Sequence, residues 1–154
     1  MNQINDKVPP QDIESEQSLL GSMLISKDAC NLVIGKIEEQ HFYKQAHSHI
    51  FTAILTLFND NKPIDLITVS AELKKNKTLD IVGGRSYLID VIDSVPTAAN
   101  VEVYANIVFE KALLRGLIQT SSEIIKDSFD PGSEVFQVID EAQRKISDIS
   151  KLGV

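Results

Sequence analysis

The chain has 154 residues, about one domain's worth, and its 43% hydrophobic and 24% charged residues exclude disorder as its main state. Its 15 basic residues against 22 acidic ones give a net charge of -7, with an acidic excess on both sides of Pro96. Nucleic-acid binding driven by phosphate contacts is therefore not expected of this chain, and no apolar run approaches the roughly 20 residues of a membrane span.

Residues 1–11 read as a flexible N-terminal arm. Asp12 is a plausible N-cap after Pro9 and Pro10. Beyond it Ile13, Leu19, Leu20, Met23 and Leu24 recur at helical spacing, with Glu14 and Glu16 suited to the positive end of the dipole. Asp28 would cap a short second helix carrying Leu32, Val33 and Ile37. Phe42 and Tyr43 fall in a connector and are expected to plug the core. A third helix runs from about Ala46 to Asn59 with Ile50, Phe51, Ile54, Leu55 and Phe58 inward, and Asn61-Lys62-Pro63 ends it. Asp65 or Thr68 caps a fourth helix through Leu73. Val82-Gly83-Gly84 is a turn, and a fifth helix carries Tyr87, Leu88, Val91 and Ile92. Residues 12–96 thus form a helical globular head.

After Pro96 the character changes. Ala98 to about Lys126 holds no proline and only Gly116, a helix of about 45 Å at 1.5 Å per residue. Phe129-Asp130-Pro131-Gly132 is a turn, and Ser133 would cap a last helix to about Ser150. Residues 97–150 read as a long, protruding antiparallel helical hairpin, and 151–154 as the start of a linker. The expected fold class is all-α. In the last helix Val135, Ile139, Ala142, Ile146 and Ile149 form a heptad-like seam. In the long helix Tyr104, Val108, Leu114, Ile118 and Ile125 form another, flanked by Val103, Leu113, Leu117 and Ile124. Those stripes are wider than one antiparallel neighbour covers, so they either meet a second hairpin or fold back on the head. Self-association is the favoured reading, through Tyr104, Val108, Leu114, Leu117, Ile118, Ile139 and Ile146.

Recognisable catalytic patterns are missing. His47 and His49 are two apart on a predicted helix and point to different faces, so with His41 they read as surface or capping residues rather than metal ligands. Cys30, the only cysteine, reads as a small buried hydrophobe. Gly35-Lys36 lacks the rest of a phosphate loop, and Gly83-Gly84 lacks the third glycine of a dinucleotide fingerprint. No catalytic residue, metal or cofactor is assigned, and the chain is not expected to be an enzyme.

Several segments in order carry a family resemblance. They are Pro9-Pro10 before Ile13-Glu14-Ser15-Glu16-Gln17-Ser18-Leu19-Leu20-Gly21, Phe42-Tyr43 with Ala46-His47-Ser48-His49-Ile50-Phe51, and Pro63-Ile64-Asp65-Leu66-Ile67-Thr68. Val82-Gly83-Gly84 with Tyr87-Leu88 and Val95-Pro96-Thr97-Ala98-Ala99-Asn100 with Tyr104-Ala105 complete the set. Over residues 9 to 150 the sequence resembles the N-terminal domain of the bacterial replicative DNA helicase of the DnaB type. The resemblance implies a collar domain: hairpins pair, six copies assemble as a trimer of dimers, and the collar docks the C-terminal domain of primase. It also implies that ATP and magnesium belong to a RecA-like domain that would follow residue 154. A helicase loader is a further partner expected with it; the cytoplasmic location is expected separately, since Met1 to Glu16 carries acids, a lysine and two prolines where a secretory signal would be apolar.

Candidate primase contacts are Phe109, Arg115, Phe129, Phe136, Gln143 and Arg144, on or near the hairpin. Two other readings compete: a free-standing helical adaptor or helicase-loading factor, and a small hydrolase with a site among His41, Tyr43, His47 and Asp65.

Overall fold

The computed structural model describes residues 7–152. The earlier part of the expected N-terminal arm and Gly153-Val154 of the expected linker start lie outside the described residues. The chain order is α1 (Ile13–Ile25), α2 (Lys27–Val33), a 3-10 turn (Glu39–His41), α3 (Gln45–Asn59), α4 (Leu66–Lys75), α5 (Leu79–Val82), α6 (Gly84–Asp93), α7 (Val101–Phe129) and α8 (Val135–Leu152). Among the described residues there is no strand, only an isolated bridge between Ile34 and Ile37. The fold is all-α, as the periodicity predicts.

Local capping explains the boundaries. Asp12 accepts from the Ser15 amide at 2.9 Å and starts α1. Ser26, not the expected Asp28, caps α2, because its hydroxyl reaches the Ala29 amide at 3.2 Å while Asp28 falls inside the first turn. Asp65 and Thr68 cap α4 together: the Asp65 side chain accepts from the Thr68 amide, and the Thr68 hydroxyl accepts from the Asp65 amide, both at 2.9 Å. The sequence pattern gives no sign of the short α5 before the Val82-Gly83-Gly84 turn. Gly83 ends it at φ +104°, a left-handed conformation that glycine enters without a Cβ penalty. At α8 the carboxylate of Glu134 accepts from the Phe136 and Gln137 amides, whereas the expected cap, Ser133, donates to the Asp127 carbonyl at 3.0 Å and closes the turn instead.

The described chain divides into two compact units. One is Gln11–Glu110; the other joins the residues up to Pro10 with those from Lys111 onward. The division falls inside α7 rather than at Pro96. In the first unit Leu19, Leu20 and Met23 of α1 pack with Ile50, Phe51 and Ile54 of α3, Val69 and Leu73 of α4, and Leu88 and Val91 of α6. Val101, Ala105 and Val108, spaced four and three along the first turns of α7, are buried in that same core. Phe42 plugs it as expected, but Tyr43 does not: its side chain is exposed, and its contribution is its backbone amide.

In the second unit the end of α7 and α8 form an antiparallel pair. Lys145 of α8 reaches back to Glu123 at 3.0 Å and Asp127 at 3.9 Å on α7. The hydrogen bond from Lys145 holds the Glu123 carboxyl below the usual carboxylate range.

Candidate functional site

The polar residues that invite a catalytic reading are engaged in holding the first unit together. His47 is fully buried, not on the surface or at a cap as its spacing suggests. Its Nδ1 lies 2.8 Å from Glu16 Oε1 and its Nε2 lies 2.6 Å from the Tyr87 hydroxyl. Lys44 Nζ donates to that hydroxyl at 3.2 Å and sits 4.3 Å from the Tyr87 ring centroid. The donor inventory assigns the protons: Tyr87 accepts from Lys44 and donates to Nε2, leaving Nδ1–H to donate to Glu16. Glu16 also accepts from the backbone amides of Tyr43 (2.7 Å) and Lys44 (3.3 Å), so a carboxylate from α1 serves the N-terminal end of α3.

The other polar residues singled out by the sequence have local structural roles. His41 Nδ1 accepts from the Glu38 amide at 2.9 Å and its ring meets Phe109 edge-on at 5.1 Å. His49 pairs with Gln45 on its own helix, and Asp65 is committed to its cap. Among the described residues no three His, Cys, Asp or Glu side chains converge on a point that could hold a metal ion. The Cys30 thiol is buried, donates to the Met23 carbonyl, and is pushed up to about 11 by that burial.

Sequence reasoning missed this network. The signal was present: Glu16 shares the helical face of Ile13, Leu20 and Met23, and His47 that of Ile50 and Phe51. Opposite polar types on two apolar stripes are the mark of a buried pair.

The hairpin carries a run of exposed large apolar side chains. Leu114, Leu117, Ile118 and Ile125 of α7 are 41–56% exposed, and Ile139 and Ile146 of α8 are 45% and 47% exposed. Each helix covers only part of the other's stripe. Phe129 and Phe136, flanking the turn, are 83% and 72% exposed. Exposed apolar rows of this extent mark interaction sites.

Two expected members of the self-association seam belong elsewhere. Val108 is buried in the first unit's core and Tyr104 packs against it, since α7 turns that face to α1–α6 over its first two turns. Phe109, an expected docking anchor, also packs on that core. Arg115 donates to the Pro10 carbonyl at 2.8 Å. Arg144 pairs with Glu141 (2.6 Å) and Asp148 (3.4 Å) on its own helix, and Gln143 beside it is exposed. No described helix is long and apolar enough to cross a membrane.

Fold and surface together define an all-helical domain with exposed apolar rows on its last two helices. Residues 8–110 match the model of the DnaB-like helicase N terminal domain. The chain belongs to that family. It is 41% identical over 148 residues to the replicative DNA helicase DnaC of Bacillus subtilis, covering 96% of this chain and 33% of that protein. It is 42% identical over 147 residues to the replicative DNA helicase DnaB of Geobacillus stearothermophilus, covering 96% and 32%. The chain spans about a third of the length of these curated relatives. Among solved structures it superposes on the N-terminal domain of DnaB helicase from Mycobacterium tuberculosis with a TM-score of 0.87 and 43% identity, covering 92% of this chain and 99% of that one. A DnaB-like replicative helicase, described with its interactions with primase, shares the fold at TM-score 0.74 and 22% identity, covering 90% and 31%.

Proposed function

We propose that this chain is the collar module of a cytoplasmic replicative DNA helicase, pairing through its hairpin with a second copy and presenting a dock for primase. ATP hydrolysis and unwinding are the work of the remaining two thirds of such a protein, with ATP and magnesium bound there. The observation that carries this reading is the pair of uncovered apolar rows on α7 and α8, in a family whose relatives are replicative helicases. The relative described with its interactions with primase supports the docking half. A helicase loader is a further partner of the same assembly.

Self-association would run through Leu114, Leu117, Ile118, Ile139 and Ile146. Ile118→Asp or Ile139→Asp places a charge where a second hairpin must be dry. Multi-angle light scattering is expected to show the mass of the wild-type chain rise with concentration, and the variants to stay monomeric over a concentration range at least 100-fold higher. A wild-type chain that is monomeric throughout, or variants that associate equally, would remove the basis of the pairing.

For primase, Phe129, Phe136, Gln143 and Arg144 are the accessible candidates, with Arg115 partly committed to Pro10. Arg144→Glu is expected to weaken binding of a primase C-terminal domain about tenfold, roughly 1.4 kcal/mol, with helicity unchanged by circular dichroism. Unchanged affinity by calorimetric titration would move the dock away from that face of α8.

A further inference from the structure

Within the first unit, a cleft of about 580 Å³ opens where the end of α3 meets the start of α2. Its floor is apolar: Phe58 and Ile64 pack inward against the core, and Pro63 continues the wall. Its rim is polar, with Lys27 and Lys62 exposed and the amides of Asn31 and Asn61 beside them. No carboxylate lines it, although the chain carries a net charge of -7. Asp28 and Asp60 are close in sequence but lie outside the lining. Among the described residues neither Lys27 nor Lys62 has an ion-pair partner.

The rim is also fixed in place. Asn61 takes φ +55°, its amide donates to the Phe58 carbonyl at 3.1 Å, and the Lys62 amide donates to the Leu57 carbonyl at 2.9 Å. This left-handed helix end fixes the backbone at Asn61 and Lys62, so binding need not order it.

We propose that this cleft docks an acidic peptide segment of a partner protein, one that sets an apolar side chain between carboxylates. The charge complementarity selects the acidic groups, and the Phe58–Ile64 floor selects the apolar one. A free phosphate would engage the lysines and leave the floor wet. The cleft is open along one side, which suits a chain passing over it better than an enclosed small molecule. The inference is independent of the collar reading, since it uses no hairpin residue.

The test is a titration of the isotopically labelled full chain with an acetylated, amidated hexapeptide of alternating glutamate and leucine, followed by amide chemical shifts. The expected result is saturable movement at Asn31, Asn61, Lys62 and Ile64, a dissociation constant on the order of 100 μM, and weakening with added salt. Lys27→Glu combined with Lys62→Glu should weaken binding at least tenfold, whereas Lys74→Glu with Lys75→Glu, on exposed lysines of α4, should not. Absence of these shifts, equal weakening by both double variants, or the same shifts with inorganic phosphate and none with the peptide would each overturn the proposal.

Discussion

Glu16→Ala is expected to lower the stability of the first unit by about 3–5 kcal/mol, because it removes at once the acceptor of three hydrogen bonds, one of them from a buried imidazole. The carboxylate accepts from the amides of Tyr43 and Lys44 and from His47 Nδ1, and the residue is almost wholly buried. Truncation leaves these three donors without that acceptor, and each buried donor left unsatisfied costs about 1–3 kcal/mol before any water enters. At about 4–8 °C per kcal/mol for a unit near 100 residues, the melting midpoint should fall by roughly 20 °C in calorimetry. Glu16→Gln should cost less. Its carbonyl oxygen still serves an amide, but its NH2 group turns a donor toward a ring nitrogen that already carries a proton, unless the imidazole adopts its other tautomer. A Glu16→Ala midpoint within a few degrees of wild type would show that the carboxylate does not organise the entry to α3.

Apolar rhythm made most of this fold legible and left its polar interior hidden. The face of α1 with Leu19, Leu20 and Met23, and that of α3 with Ile50, Phe51 and Ile54, repeat every three or four residues and fold as that repeat dictates. Glu16 and His47 interrupt those repeats, and a single interruption reads as surface until its partner is known. The partner lies 31 residues away, and only tertiary contact shows that the two interruptions cancel. The same distinction governs α7. Tyr104, Val108, Leu114 and Ile118 fall on one helical face, interrupted at Lys111, so periodicity alone reads one seam. The structure divides that seam at Glu110: Tyr104 and Val108 belong with the first unit's core, and Leu114 and Ile118 fall in the second unit. That the hairpin seams are wider than one antiparallel neighbour covers was legible from their spacing. Which residues lie open was not, because exposure depends on neighbours that sequence spacing does not fix. Caps fared between the two: Asp12 was clear from its local context, whereas Ser26 and Glu134 took the roles expected of Asp28 and Ser133 because backbone entry angles decide which side chain can reach the free amides.

Gly21→Ala and Gly116→Ala should move stability in opposite directions, although both add one methyl group to a helix. At Gly21 in α1, an added Cβ would collide with the Val91 carbonyl oxygen of α6 and crowd Val95 Cγ2 at 3.0 Å and Ser94 Oγ at 3.2 Å. That carbonyl cannot simply withdraw. It accepts from the Ser94 hydroxyl at 2.6 Å and the Ser94 amide at 3.3 Å, the bonds that finish α6. Either α1 and α6 separate, opening the layer that holds Leu20, Leu88 and Val91, or the end of α6 unwinds. Overpacking of this kind costs about 1–3 kcal/mol and more where backbone is the obstacle, so a fall in the melting midpoint of about 10–20 °C is expected. At Gly116 in α7 an added Cβ meets nothing within 4 Å. There alanine only restricts the unfolded chain and favours the helix, a gain of about 0.5–1 kcal/mol. The pair separates two causes that a single glycine substitution confuses, helix propensity and close approach. Equal stabilisation by both, measured by calorimetry on the same chain, would mean that α1 and α6 do not cross as tightly as the Val91 carbonyl requires.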